Sequence, residues 1–109
     1  MKLPPNAIIA IDKIKNYLLT RRVEDDKSRF LKQAGYSIED WKQLEMDIRK
    51  QILIKDAMPM EQTMYGEVYE IRGTLRGPNG QMLKIVTVWM TEAHSGQTKF
   101  ITLFPDKEK

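Results

Sequence analysis

The chain contains no cysteine among its 109 residues. Disulfides, zinc sites built on thiolates and cysteine nucleophiles are therefore excluded, and redox chemistry is not expected. No apolar run approaches the roughly 20 residues that span a bilayer, and the start lacks a basic segment followed by a long apolar stretch, as a secretory signal would have. We expect a cytoplasmic protein that does not bind a membrane.

Several catalytic motifs are missing as well. The sequence has no G-x-x-x-x-G-K-[ST] phosphate loop, no H-E-x-x-H pair, no G-x-S-x-G turn and no His/Asp cluster at metal-ligand spacing. We therefore predict neither a metal nor a cofactor.

Histidine suits proton transfer near neutral pH, so the single histidine, His94, is a candidate general acid. Its polar loop favours the simpler interpretation of a surface residue.

The composition is typical of one globular domain, with 41% hydrophobic and 30% charged residues, and we predict a single domain over residues 1–109. The formal net charge is +3. Lys13, Lys15 and the arginines at 21–22 lie close together, but the acidic residues 24–26 follow at once. A mixed, solvated surface is the simpler interpretation, and a patch that attracts phosphate is the alternative.

The first half of the chain predicts about three helices. Residues 3–11 hold two prolines and predict an extended segment, and apolar residues at helical spacing predict a first helix over residues 12–19. A second helix is predicted over residues 25–34, where a glycine follows. The clearest pattern begins after Ser37 and predicts a long amphipathic helix, which ends before a flexible methionine-rich connector at residues 58–64. Its apolar residues recur every three or four positions: Ile38, Trp41, Leu44, Ile48 and Ile52.

From Tyr65 the apolar residues recur at every second position, which predicts strands. Three strands are predicted over residues 66–75, 81–90 and 98–104, with a tight hairpin turn at residues 77–80. The predicted fold class is therefore α+β. About three N-terminal helices pack on one face of a C-terminal antiparallel sheet of three or four strands.

Alternation along the strands sorts their side chains into two faces. One face is nearly all apolar and is expected to receive the helices: Tyr69, Ile71, Leu75, Val86, Val88, Met90, Ile101 and Leu103. The other face is aromatic, hydroxylated and charged: Glu70, Arg72, Thr74, Ile85, Thr87, Trp89, Phe100, Thr102 and Phe104. This open face is either an amphipathic outer surface or a binding face. As a binding face it has Arg72 to hold a phosphate, with Thr87 and Thr102 donating hydrogen bonds. Trp89 or Phe104 would stack on a base.

Several segments resemble a family of short uncharacterised bacterial proteins. They are LPPNAIIAIDKIKNYLL, RFLKQAGYSIEDW, YGEVYEIRGTLRGPNG, VTVWM and TKFITLFP. The likeness covers almost the whole chain and centres on the Gly-Pro-Asn-Gly turn at residues 77–80 and the Thr-Val-Trp strand at residues 87–89. An additional proline in the opening and Phe104 in place of a commoner tyrosine depart from the family pattern.

More distantly, the chain resembles the barnase-like, colicin-like and RelE-like ribonuclease toxins, in architecture and in the closing residues Thr102, Phe104 and Pro105. This resemblance implies metal-independent cleavage of RNA, in which the 2′-hydroxyl attacks its own phosphate. Arg72 would clamp the phosphate, and Thr102 and Thr87 would orient it. Glu70 would be the base, or it would simply pair with Arg72. The partners implied are RNA and a small cognate inhibitor protein that covers the open face.

A non-catalytic interaction module is the alternative function. In that case the open face, or an unpaired strand edge, binds another protein or a second copy of the chain as a homodimer. The modest charge and the lack of an assigned general acid favour this alternative. The family likeness and the Arg-Thr-Trp face favour the ribonuclease.

Overall fold

The computed structural model describes residues 1–20 and 27–107 of an α+β fold. Short helical segments precede a four-stranded antiparallel sheet with the strand order β1-β2-β3-β4. The strands are β1 (Met58–Thr63), β2 (Gly66–Arg76), β3 (Met82–Glu92) and β4 (Thr98–Pro105). The predicted fold class is confirmed in this form. Within the described residues, no helix is long and apolar enough to cross a membrane.

The helical segments are shorter and less regular than the sequence predicts. Lys13–Leu18 is wound as a π-helix inside the first predicted helix, and α1 (Ser28–Lys32) lies inside the second, whose residues 25–26 are outside the described part. The third predicted helix is a succession of three segments. A 3₁₀ turn at Ile38–Asp40 leads into α2 (Trp41–Asp47), which continues as the π-helical segment Ile48–Ile52.

The prediction of a flexible connector at residues 58–64 is wrong, because most of it forms β1. Pro59 pairs with Tyr69 and Thr63 pairs with Gly66 in an antiparallel ladder. A proline is tolerated there because β1 is an edge strand, where one side of the backbone needs no partner. The ladder shifts register between Pro59 and Glu61.

The other edge of the sheet is partly covered by the extended N-terminal segment. The Ile8 amide donates to the Thr98 carbonyl at 2.8 Å, and the Phe100 amide donates to the Ile8 carbonyl at 2.8 Å. Ile8 thereby forms a parallel bridge with Lys99 of β4. The extended conformation predicted for this segment is found at Ile8.

The helices cover one face of the sheet. A Cβ atom added to Gly73 would lie 3.0 Å from Ile52 Cδ1, so this glycine lets the helical segment approach β2 closely. The apolar stripe of α2 and the segment after it is fully buried at Leu44, Ile48 and Ile52. Trp41, predicted to be a core residue, is partly buried and packs against the core.

The Gly-Pro-Asn-Gly turn joins β2 to β3 and also caps α1. Asn79 donates from its backbone amide to the Ala34 carbonyl at 3.2 Å and from its side-chain amide to the Gln33 carbonyl at 3.0 Å. A Cβ atom at Gly77 would lie 2.1 Å from the Ala34 carbonyl oxygen, so only glycine fits. The turn supplies partners for carbonyls that the end of a helix leaves unsatisfied.

Candidate site on the open face of the sheet

The register of β3 places two predicted site residues in the core. Thr87 pairs with Ile71 and Trp89 pairs with Tyr69, which puts them on the face that the helices cover. Both Thr87 and Trp89 are 0% exposed. The prediction that Thr87 and Trp89 face outward is therefore wrong, as it is for Ile85. From these positions neither side chain reaches the open face.

Hydrogen bonding explains how this threonine and tryptophan are buried. The Trp89 indole N–H donates to the Thr87 hydroxyl at 2.8 Å, and that hydroxyl donates to the Ile71 carbonyl at 3.0 Å. The Trp89 ring also meets the Phe100 ring edge-on, with centroids 5.3 Å apart and an interplanar angle of 75°. Each polar group is satisfied inside the core, so burial carries no unpaired-group penalty.

A register shift between β3 and β4 separates the aromatic residues of β4. Val88 pairs with Thr102, whereas the next residue, Trp89, pairs with Phe100. An extra residue in one strand reverses the direction of the side chains that follow it. Phe100 is therefore buried at 2% exposure, contrary to the prediction of an open-face position, and Thr102 keeps its place on the open face.

Four of the six predicted site residues share the open face. Their ladder positions form two rows across β2, β3 and β4: Glu70–Val88–Thr102 and Arg72–Val86–Phe104. Neighbouring strands lie about 4.8 Å apart, so residues of β2 and β4 in one row are roughly 10 Å apart. The central positions of both rows are Val86 and Val88, so the prediction that these valines face the helices is wrong. They give the charged and aromatic residues an apolar floor.

Arg72 lies between two carboxylates at one end of this face. Its Nη1 donates to Asp106 Oδ1 at 3.0 Å, and its Nη2 lies 3.6 Å from Glu70 Oε1. The Arg72 side chain is 54% exposed, whereas those of Glu70 and Asp106 are 19% and 11% exposed. The guanidinium is thus held by shielded anions and still faces solvent.

Asp106 was not among the predicted site residues. Its backbone amide donates to the Lys84 carbonyl at 2.9 Å, so the pairing of β4 with β3 continues past Pro105. No sequence pattern marks this continuation, because a proline before a charged tail ordinarily indicates the end of a strand. The extended pairing brings the Asp106 carboxylate to Arg72.

A shallow pocket of about 600 Å³ opens beside the guanidinium. It is lined by Arg72, Val86, Phe104, Pro105, Asp106 and Lys107. This volume is within the roughly 300 to 1,000 Å³ range of small-ligand sites. Cations, a carboxylate and an aromatic ring converge there, which is chemistry suited to a phosphate carrying a base.

Thr102 and His94 lie away from this pocket. The Thr102 hydroxyl is 3.0 Å from the Tyr17 hydroxyl, toward the β4 edge of the sheet. His94 is exposed in the turn after Glu92, which pairs with Gly66 at the far end of β2. That end is six residues from Arg72 along the strand, roughly 20 Å at 3.3 Å per residue.

The turn around His94 has a local electrostatic arrangement of its own. Ser95 donates to Glu92 Oε1 at 2.9 Å, and Lys99 Nζ lies 3.2 Å from the same oxygen. These contacts hold the pKa of Glu92 below its usual value, the Ser95 hydrogen bond having the largest effect.

Among the described residues, no group of three or more acidic or histidine side chains could hold a metal ion.

Comparison with protein families places the chain in a known group. The family model of the domain of unknown function DUF6883 matches residues 2–107. The chain belongs to this family. The prediction of an uncharacterised family is confirmed, and the match carries no activity or substrate. A search of curated proteins and a search of solved structures each found no match.

Proposed function

We propose that the open face is the active site of a metal-independent ribonuclease of the toxin type. The observation that carries the proposal is the pair Glu70 and Arg72. The Glu70 carboxylate is 19% exposed and lies 3.6 Å from the exposed guanidinium. Among the described residues it accepts no hydrogen bond, so its oxygens are available to accept a proton. A carboxylate that is paired with a cation but accepts no hydrogen bond suits proton transfer next to a bound phosphate.

RNA supplies its own nucleophile for this reaction. Glu70 takes the proton of a 2′-hydroxyl, the 2′-oxygen bonds to the adjacent phosphorus, and the bond from phosphorus to the 5′-oxygen breaks. The leaving 5′-oxygen takes a proton from water in the open pocket. The products are a 2′,3′-cyclic phosphate and a 5′-hydroxyl end, and no electron acceptor or metal is required.

Arg72 stabilises the negative charge that develops on the phosphoryl oxygens. A guanidinium has five N–H donors, and one direction is taken by Asp106 at 3.0 Å. Asp106 thereby fixes the orientation of Arg72 and leaves its other donors for the phosphate. Phe104, across Val86 from Arg72, offers a ring on which a base stacks.

Cleavage of labelled RNA in EDTA by the purified protein tests this function. Wild type should produce fragments with cyclic phosphate ends. Glu70→Gln should lower the rate by about 10² to 10⁴, the typical contribution of a general base, and Arg72→Ala should also abolish most cleavage. Glu61→Gln, at an exposed position in β1, is the matched control and should retain full activity.

Two results would refute the ribonuclease proposal. One is a folded wild type that leaves RNA intact under all conditions. The other is full cleavage by both Glu70→Gln and Arg72→Ala. A toxin of this kind also requires a small inhibitor protein that covers the open face, so expression of the chain alone should arrest growth.

A second candidate function is a non-catalytic interaction module that pairs with a second copy of the chain. The observation that favours it is the apolar surface of β1 and the turn after it. Met58, Met60, Met64 and Tyr65 are 62%, 48%, 84% and 72% exposed. Methionines adapt readily to a partner surface, and an edge strand has backbone groups free for pairing.

The molecular mass in solution tests this second function. Wild type should sediment as a dimer and Met60→Lys as a monomer, because a lysine on an edge strand opposes pairing. Met46→Lys changes a helical methionine that is 46% exposed and should leave the dimer intact. A wild type that is monomeric at high concentration would exclude pairing through β1.

A further inference from the structure

Two lysine ammonium groups approach the ring of Tyr17, next to the β4 edge. Lys13 Nζ lies 5.1 Å and Lys27 Nζ lies 5.6 Å from the ring centroid. Aromatic faces attract cations at this range. Lys27 is only 8% exposed, whereas Lys13 is half-buried and is the more accessible member of this pair.

The ring of Trp41 is approached in the same way. Lys15 Nζ lies 5.8 Å and Lys42 Nζ lies 5.5 Å from its centroid. Lys15 belongs to the same π-helical segment as Tyr17, and that segment packs against α2, which begins at Trp41. Together Lys13, Lys15 and Lys42 form a surface that we call the lysine patch.

Among the residues that the structure describes, no carboxylate is paired with the lysine patch. No ion pair joins Lys13, Lys15 or Lys42 to an acidic side chain in the part of the chain that the structure describes. Two nearby carboxylates have other partners: Asp12 accepts from the Asn16 side chain, and Asp40 accepts from the Ser37 hydroxyl. Like charges held near one another repel, and a bound polyanion relieves that repulsion.

Successive contacts along β4 link the lysine patch to the proposed active site. Phe104 lines the pocket, and Thr102 lies two residues earlier on the same face of β4. The Thr102 hydroxyl is 3.0 Å from the Tyr17 hydroxyl, beside the ring that Lys13 approaches. An RNA strand that leaves the pocket along β4 therefore passes Thr102 and then reaches the lysine patch beside Tyr17.

We infer that the lysine patch binds the phosphate backbone of single-stranded RNA whose scissile phosphate lies at Arg72. This inference rests on the ribonuclease proposed above and extends it to a substrate longer than one nucleotide. A single strand is flexible enough to run from the pocket across the β4 edge to these lysines, and its unpaired bases leave one free to stack on Phe104. The patch contributes through charge, so binding should depend on salt and little on base sequence.

The test is the affinity for a labelled 2′-O-methyl RNA oligonucleotide, which lacks the nucleophile and cannot be cleaved. The triple variant Lys13→Gln, Lys15→Gln and Lys42→Gln should bind at least tenfold more weakly. For this variant, the slope of log affinity against log salt concentration should be smaller in magnitude by about two. Each phosphate that a lysine neutralises contributes about 0.7 to that slope for a single strand. The matched control changes three exposed lysines outside the patch, Lys32, Lys50 and Lys55, and should lose less than twofold.

The outcomes separate this inference from the proposed ribonuclease. Equal losses in the two triple variants, or no loss in either, would overturn the lysine patch, whatever the cleavage assay gives. Binding of poly-glutamate in place of the oligonucleotide would also overturn it and indicate an acidic protein partner. Patch-dependent oligonucleotide binding by a wild type that cleaves no RNA would support the patch as an RNA surface and refute the ribonuclease.

Discussion

The side-chain amide of Asn79 donates across 3.0 Å to the backbone carbonyl of Gln33, tying the β2–β3 turn to the end of α1. A helix of five residues is not stable in isolation, because nucleation costs more than so few hydrogen bonds return. α1 therefore depends on the turn for its C-terminal partners. Formation of the hairpin and of this helix should be coupled.

Gly77→Ala should break that coupling. The new Cβ atom would meet the Ala34 carbonyl oxygen at 2.1 Å, so the turn has to move away from α1. We expect the free energy of unfolding to fall by about 3 kcal/mol, the upper range for overpacking. Gly80→Ala is the control, because no atom lies within 4 Å of its Cβ position and only its φ of +88° opposes the change. That strain costs about 1 kcal/mol. If urea unfolding showed the same loss of free energy for both variants, the clash predicted for Gly77→Ala would be contradicted.

Thr87→Val should destabilise the core without affecting cleavage of RNA. The variant keeps the side-chain shape but leaves the Trp89 indole N–H without its acceptor at 2.8 Å. An unpaired buried donor costs about 1 to 3 kcal/mol. Val88→Thr makes the reverse change at a half-buried open-face position and should cost less. Loss of RNA cleavage by Thr87→Val at unchanged stability would show that Thr87 acts in catalysis.

Phe104 should matter for RNA binding and Phe100 for stability, although both lie on β4. Phe104→Leu should weaken RNA binding by about 1 to 3 kcal/mol, the contribution of stacking one base, with little change in stability. Phe100→Leu should cost up to about 1.5 kcal/mol of stability and leave binding unchanged, because Phe100 is 2% exposed against Trp89. Titration with uncleavable RNA and urea unfolding measure the two quantities. Equal effects on binding would refute the assignment of Phe104 to the site.

Tyr36 should make stability decrease at alkaline pH. Burial, together with a hydrogen bond to Asp47 at 2.5 Å, raises the pKa of Tyr36 well above its usual value. The unfolded chain loses this proton near pH 10 while the folded chain keeps it, so the stabilisation is complete below about pH 10 and decreases as the pH rises. The stability advantage of wild type over Tyr36→Phe should therefore narrow between about pH 9 and pH 11. Tyr69, whose pKa is also raised by burial, remains in both proteins and does not affect the comparison. A constant difference would exclude the linkage.

The faces of β2 could be predicted from sequence because its alternation has strong contrast. Glu70 and Arg72 flank Ile71, so only one orientation buries the apolar side chain. In β3 both faces carry apolar side chains, so the sequence allows either face to be the one that the helices cover. A shift of one residue exchanges the two faces. The register buries Thr87 and Trp89, and the hydrogen bond that satisfies their polar groups is apparent only once that register is known.

The remaining differences arise from long-range pairing. β1 has no alternation to recognise, because five of its six residues are exposed at the sheet edge. Asp106 reaches Arg72 only because pairing continues past Pro105, which no local pattern indicates. The pair of Glu70 and Arg72 was predictable, since both lie two positions apart on one strand face.

The bridge at Ile8 has a consequence for how far such molecules can assemble. It occupies backbone groups of Thr98 and Phe100 on the outer side of β4, so in residues 1–20 and 27–107 the edge strand whose outer side carries no such bridge is β1. A second copy can therefore pair along the whole of β1, whereas at β4 only the stretch after Phe100 is open to an incoming strand. Association by strand addition should accordingly favour pairs joined through β1 over filaments that need both edges.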